Sequence, residues 1–154
     1  KYNEGYLVGE WVHLPVSDDD LRAVFDRIGI NKEYEEFFIT DYENSPICIN
    51  EYDSIEQLNV LAEKIESLSD VDNLILEYFI NYESLNICEA IEEFDEGNYC
   101  YYWDVMDELD LGYRVSEDWD IPEHLASYID YEAIGRDYTC SGWVLFENIA
   151  LCRY

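Results

Sequence analysis

Four glutamates near the middle of the chain have the spacing that places their carboxylates on one face of a helix. They stand at positions i, i+3, i+4 and i+7, as Glu89, Glu92, Glu93 and Glu96. Like charges four residues apart destabilise a helix by about 0.2–0.5 kcal/mol per pair. A solvated face explains one such helix. When the pattern recurs along a chain, it indicates a surface that binds cations, either metal ions or basic side chains of a partner.

The whole chain shares this acidity. Asp and Glu number 37 against 8 Lys and Arg, which gives a formal net charge of −29. Between Glu33 and Tyr113 there are 23 acidic residues and one basic residue, Lys64. A long block of like charge usually indicates disorder, but here aromatic and aliphatic residues are interleaved with the acids. We therefore predict a folded chain with an acidic surface that repels nucleic acid and membranes and attracts basic proteins.

We predict that the middle and the following segment form this partner-binding surface. Duplex DNA carries one charge per about 1.7 Å of axis, so 29 charges correspond to about 50 Å of duplex. One acidic helix is too sparse to reach that density, but several acidic elements side by side reach it. The predicted carboxylates are Glu63, Glu66, Asp70, Asp72, Glu77, Glu83, Glu89, Glu92, Glu93, Glu96, Asp104, Asp107, Glu108, Asp110, Asp118 and Asp120.

Metal binding would also account for clustered carboxylates. No stretch fits the EF-hand calcium loop, because Asp18, Asp19 and Asp20 are followed by a helical pattern instead of the required glycine. His13 and His124 are far apart, with no cysteine at metal-ligand spacing. We predict no specific metal site and no cofactor.

Catalysis and adaptation to high salt compete with a protein partner as explanations of the acidity. Asp118 and Asp120 flank Trp119, as carboxylates flank an aromatic platform in glycosidases, but acids are too common here for adjacency to carry weight. No nucleophile-elbow, phosphate-loop or His-Glu-x-x-His motif occurs. Salt adaptation spreads acid evenly, whereas basic residues are nearly absent over 81 positions. We predict that the protein is not an enzyme.

The five cysteines bear on the compartment. They stand at positions 48, 88, 100, 140 and 152, with no Cys-x-x-Cys, which is typical of buried reduced thiols. No apolar run is long enough for a membrane span, and no signal-peptide pattern is visible. These features predict a cytoplasmic protein.

The elements that position the carboxylates indicate an α+β fold, expected as an elongated chain of three small subdomains. Residues 1–50 form a mixed subdomain, with strands at 9–14, 34–42 and 47–50 and a helix that begins at Ser17 and ends at Gly29. Residues 51–95 form a small helical bundle with caps at Ser54, Asp70 and Ser84.

Residues 96–154 form a second mixed α/β subdomain. It contains a strand at 98–103, a helix at 104–111 ended by Gly112, and a helix that starts at Pro122. A helical turn follows at 130–135. The last element is a hairpin around Glu147 and Asn148, formed by residues 139–146 and 149–154.

Three sequence segments resemble the ArdA antirestriction proteins. They are KYNEG followed by Leu-Val-Gly-x-Trp (Lys1–Trp11), NKEYEEFFITDYE (31–43), and YIDYEAIGRD (128–137) followed by Ser141-Gly142. The resemblance covers essentially the whole chain, although the helical middle matches mainly in acidity and length. Family members begin with a further strand before the KYNEG-like segment, so in this chain we expect an exposed edge on the first sheet.

The resemblance implies a DNA mimic. ArdA proteins block type I restriction–modification enzymes by occupying the DNA groove of the methyltransferase core, form homodimers and are not enzymes. Their antirestriction motif matches the region from about Arg114 to Asp137. The motif positions carried over are Tyr128, Asp130, Tyr131, Gly135, Arg136 and Asp137.

Two different interpretations fit the same residues. Gly135, Arg136 and Asp137 also fit a helix end with an internal ion pair. The acidity also fits a generic binding module or chaperone that sequesters a basic DNA-binding protein.

Overall fold

A computed structural model describes residues 8–31 and 36–154. The chain divides into two compact units, Lys1–Leu68 and Ser69–Tyr154. Helices and one small sheet occur together, which confirms the α+β class. The division into three subdomains with boundaries near residues 50 and 95 stays a prediction.

The described residues of the first unit, 8–31 and 36–68, contain two helices, and both begin at the predicted caps. Helix α1 spans Asp18–Ile28, and the Ser17 hydroxyl accepts a hydrogen bond from the Asp20 amide at 3.2 Å. Gly29 ends α1 with φ 82°, in the left-handed region that favours glycine. Helix α2 spans Ile55–Ser67 and is capped by Ser54. Each helix has a buried apolar side, which contains Val24 in α1 and Leu58 and Leu61 in α2.

The strands predicted for this unit are wrong wherever the structure describes them. Residues 9–14 and 36–50 form no strand, and residues 34 and 35 lie outside the described part of the chain. Local side chains satisfy the backbone instead, because the Ser45 hydroxyl bonds both the amide and the carbonyl of Ile47. The Asn50 amide donates to the Asp53 carboxylate at 2.7 Å. Such bonds compete with a sheet ladder.

The second unit begins with two helices whose caps differ from the prediction. Helix α3 spans Asp70–Asn81 and is capped by Ser69, one residue before the predicted cap. Helix α4 spans Ile87–Glu96 and is capped by Asn86 instead of Ser84. Ser84 has φ 58°, whereas Asn86 has the extended backbone that a cap requires and forms a reciprocal capping box with Glu89.

The sheet of this unit is antiparallel, with strands β1 (Tyr99–Trp103), β2 (Val144–Phe146) and β3 (Ile149–Arg153) in the order β1-β3-β2. The predicted strand at 98–103 and the turn at Glu147 and Asn148 are confirmed, but the first arm of the hairpin is shorter than predicted, because residues 139 and 140 belong to a helix and the strand begins at Val144. On one face, Tyr99 contacts Phe79 of α3, with ring centroids 5.6 Å apart. On the other face, Tyr102 packs against a core that contains Leu111. The sheet is therefore covered by helices on both faces.

Three further helices complete the unit: α5 (Glu108–Ser116), α6 (Glu123–Ala126) and α7 (Tyr131–Cys140). Two glycine predictions are wrong, because Gly112 lies inside α5 and Gly135 lies inside α7. A Cβ on Gly112 would stand 1.8 Å from the Tyr131 carbonyl oxygen, and one on Gly135 would stand 1.7 Å from that of Glu108. The glycines let the two helices cross backbone to backbone, so neither ends a helix.

Candidate acidic interaction surface

All sixteen predicted carboxylates lie outside the core. Six are partly buried: Asp72, Glu77, Glu83, Glu93, Glu108 and Asp110. The ten exposed ones are Glu63, Glu66, Asp70, Glu89, Glu92, Glu96, Asp104, Asp107, Asp118 and Asp120. The two groups differ in what their oxygens contact.

On α4, the predicted row of four glutamates is only partly realised. Ile87 and Ala90 are buried and turn the opposite side of the helix outward, so three of the glutamates are exposed. Glu93 is partly buried because it faces Arg153 of β3, at 2.6 Å.

Arg153 engages a second carboxylate, Glu83, from the turn between α3 and α4. Its guanidinium lies 5.5 Å from the centroid of the Phe79 ring. Burial disfavours its charge, but the hydrogen bonds and charges of the two glutamates outweigh burial and raise the pKa of Arg153. Glu83 and Glu93 therefore hold the sheet to the α3–α4 pair and are not free to meet a partner.

At the α5–α7 crossing, Arg136 plays a similar part. Its guanidinium bonds Glu108 of α5 at 3.3 Å and Glu132 of α7 at 3.1 Å. The hydrogen bond to Glu108 is the largest cause of the raised pKa of Arg136. Thr139 also donates to Glu108, at 3.3 Å. The sequence alternative of an ion pair within a helix end at residues 135–137 is wrong: Arg136 lies inside α7 and pairs with Glu132 of its own helix and with Glu108, the first residue of α5.

Several other carboxylates accept local hydrogen bonds at helix starts. The Ser69 hydroxyl donates to Asp72 at 2.7 Å, and Asp107 caps α5 by accepting from the Asp110 amide at 2.9 Å. The Asp110 carboxylate accepts from the Met106 amide at 3.1 Å. Aspartate at the first turn of a helix is favoured by the macrodipole, so these residues are acidic partly for local reasons.

Glu77 of α3 has an unusual environment. Burial of its carboxyl, together with the charge of Glu147 in the β2–β3 turn, raises its pKa, and a hydrogen bond from Asn81 opposes the shift.

Seven members of the predicted set are exposed and hold no ion pair or side-chain hydrogen bond within residues 8–31 and 36–154. They are Glu63, Glu66, Asp70, Glu92, Asp104, Asp118 and Asp120. Within the described residues, nothing competes with an external cation for these carboxylates.

The six predicted motif positions also divide into residues that stabilise the fold and residues that face solvent. Asp130 caps α7 by accepting from the Ala133 amide at 3.0 Å. Tyr131 stacks on Tyr113, with ring centroids 4.2 Å apart, while Gly135 and Arg136 form the crossing described above. Tyr128 is 84% exposed, and Asp137 is also exposed. Four of the six positions therefore build the helix pair, and two face solvent.

The sequence reasoning missed one group of exposed residues on and beside α5. Met106, Leu109 and Tyr113 are 70%, 41% and 52% exposed. Their spacing of three and four residues was the available signal, because it repeats a helical period on the side opposite the buried Leu111.

Within the described residues, no three His, Cys, Asp or Glu side chains are grouped so as to hold a metal ion. The same part of the chain contains no helix that is long and apolar enough to cross a membrane.

The fold and the surface define a class of acidic α+β protein that presents an array of carboxylates. Comparison with protein families matches residues 1–150 to the antirestriction protein family ArdA. The chain therefore belongs to the ArdA family of antirestriction proteins. Membership supports an antirestriction function and an interaction with restriction enzymes in general. A comparison with curated protein sequences found no match.

Proposed function

We propose that the protein is a DNA mimic that occupies the DNA-binding groove of a type I restriction–modification enzyme. The groove of such an enzyme binds duplex mainly by placing Lys and Arg against phosphates. Carboxylates meet the same side chains but offer no base edges, so recognition of the target sequence is bypassed. On this proposal the protein is an inhibitor without catalytic chemistry of its own, acts in the cytoplasm and does not bind nucleic acid directly.

The observation that carries the proposal is the set of seven exposed carboxylates that have no ion pair or side-chain hydrogen bond in the described part of the chain. They occur on α2, at the start of α3, on α4 and in the loops before α5 and α6. In the second unit alone, the array occupies two helices and two loops, and such a distribution suits an extended basic groove better than a point-like ligand. The family resemblance also implies a homodimer, which would present about 58 charges, equivalent to about 29 base pairs.

The decisive experiment is competition. Labelled duplex is bound to a purified type I methyltransferase core, and the full chain is titrated in. We expect DNA to be displaced as the protein binds. If the footprint of the methyltransferase core on the DNA persists when the inhibitor is saturating, the protein is not a DNA mimic.

Matched variants locate the surface. Asp118→Asn with Asp120→Asn removes two charges from the proposed set. Asp41→Asn with Glu43→Gln removes two exposed charges outside it. The first pair should weaken competition more than the second, although both change the net charge equally.

A second candidate is an acidic module that sequesters a free basic DNA-binding protein, which the same carboxylates also favour. It predicts comparable binding to basic proteins unrelated to restriction enzymes, and no preference for the methyltransferase core. Titrating the chain with such a protein in parallel separates the two functions.

A further inference from the structure

Helix α5 is apolar on two opposite sides. Leu111 is fully buried in the core of the second unit, and Val115 packs against the same cluster. Leu109 and Tyr113 each precede one of these residues by two positions, about 200° around a helix of 3.6 residues per turn. They are 41% and 52% exposed. Burial against the sheet explains the inner side of α5 but not the outer one.

The outer side continues beyond α5 in both directions. Met106, immediately before the Asp107 cap, is 70% exposed. At the other end, Tyr113 stacks on Tyr131 of α7. We call Met106, Leu109, Tyr113 and Tyr131 the apolar stripe.

Carboxylates lie beside the Met106 and Leu109 end of this stripe. Leu109 lines a shallow pocket of about 340 Å³ together with Asp107, Glu108 and Glu132. Asp104 is exposed just before Met106. The cation that the structure places at this rim, Arg136, is already shared by Glu108 and Glu132. An apolar centre with a charged rim is the general anatomy of a protein interface, and here the rim is acidic.

We propose that the apolar stripe is a docking surface for an apolar side chain that is flanked by Lys or Arg on the target protein. The proposal rests on the antirestriction function proposed above and adds a contact that charge mimicry does not supply. Charge complementarity favours this occupant over a second copy of the chain. A second copy placed stripe to stripe would bring the same acidic rim, and like charges in an interface oppose association.

The two kinds of contact respond differently to salt. Binding through carboxylates weakens as salt rises, because it depends on exchange of counterions. Burial of the apolar stripe contributes nearly the same affinity at every salt concentration. Removing the apolar contact should therefore shift a plot of log Kd against log salt without changing its slope, whereas removing carboxylates should make the slope shallower.

The experiment measures Kd for a type I methyltransferase core across one salt series. Leu109→Gln should weaken binding by roughly tenfold at every salt concentration, as truncation of an interface anchor does. Met106→Gln should act in the same direction and guards against misfolding, because this side chain is the most exposed of the three beside α5. Val60→Gln is the control. It removes a 51% exposed apolar side chain among the glutamates of α2 and should leave Kd unchanged.

Each result decides between the proposals. If the wild type binds the core but Leu109→Gln and Met106→Gln bind as the Val60 control does, the stripe is not a docking surface and the mimic stands. If these variants instead change the sedimentation of the free chain, the occupant is a second copy and the proposal is overturned. If the wild type does not bind the core, the antirestriction mechanism fails and the docking surface fails with it.

Discussion

Helix α4 and the α5–α7 crossing carry acids at similar spacing, yet the structure uses them differently. On α4, Glu92 is exposed and has no ion pair among residues 8–31 and 36–154, although the neighbouring Glu93 is held by Arg153. At the crossing, Glu108 is tied to Arg136, and Asp107 caps a helix. Identical side chains therefore remain exposed to solvent in one region and stabilise the fold in the other. The two outcomes differ in whether a basic side chain from a distant part of the sequence lies beside the carboxylate.

The largest effect is expected at the crossing. Gly135→Ala places a Cβ 1.7 Å from the Glu108 carbonyl oxygen, so the two helices must move apart. We expect a loss of about 3 kcal/mol or more in the free energy of unfolding, measured with urea. Gly9→Ala is the control, since nothing lies within 4 Å of its Cβ. An unchanged unfolding midpoint for Gly135→Ala would refute the close crossing.

The next largest effect on stability is expected for the ion pairs of Arg153, compared with those of Arg136. Arg153→Gln leaves Glu83 and Glu93 close together without a cation, and their side chains are only 22% and 31% exposed. We expect a loss of about 1 kcal/mol in stability, because these are charge-assisted bonds at a partly shielded site. Arg136→Gln should cost less, since Glu132 is 61% exposed and well solvated. Thermal unfolding of both variants checks the order, and the reverse order would contradict it.

A smaller effect tests whether the acids of α4 serve binding or folding. Glu92→Gln removes the repulsion between Glu92 and Glu96, so stability should rise by a few tenths of a kcal/mol. Binding to the methyltransferase core should weaken by about 0–1 kcal/mol. Neutralising Glu89 and Glu96 as well should enlarge the loss of binding, whereas the gain in stability should not grow in proportion, because Glu89 belongs to the capping box of α4. Loss of all inhibition from Glu92→Gln alone would indicate a localised site instead of a distributed surface.

The smallest effect concerns pH and Glu77. Its pKa is raised in the folded protein by burial and by Glu147. A raised pKa stabilises the fold below the unfolded value, near the ordinary 4.5, and this contribution is lost as pH rises through the folded value. Glu77→Gln, which stays neutral, should therefore gain stability relative to wild type between pH 4 and pH 7. Urea unfolding at both pH values measures the difference, and an equal difference at both would contradict it.

Local patterns predicted much of the second unit. The hairpin at Glu147 and the strand at Tyr99–Trp103 follow from alternation and turn residues, and the structure confirms both. The caps that begin the two helices of this unit before the sheet, α3 and α4, are misplaced by one and two residues, whereas the Ser54 cap of α2 in the first unit is correct. Such errors arise because several neighbouring polar residues fit a cap, and packing of the buried face selects one.

The predicted strands of the first unit failed for a related reason. Alternating aromatic residues suit a strand only if a neighbouring strand pairs with them. Trp11 was predicted to lie in such a strand, yet it is 64% exposed on irregular backbone.

The sequence by itself determined the acidity, the α+β class, the family and the helix starts at Ser17, Ser54 and Pro122, because each depends on residues close together in the chain. The tertiary structure decided which carboxylates remain free. Arg153 stands 70 positions from Glu83, and Arg136 stands 28 from Glu108, so no local period relates them. The tertiary structure also decided that Gly112 and Gly135 form a helix crossing. In a sequence, a glycine fits both a helix end and a close helix–helix contact, and only the position of the second backbone distinguishes the two.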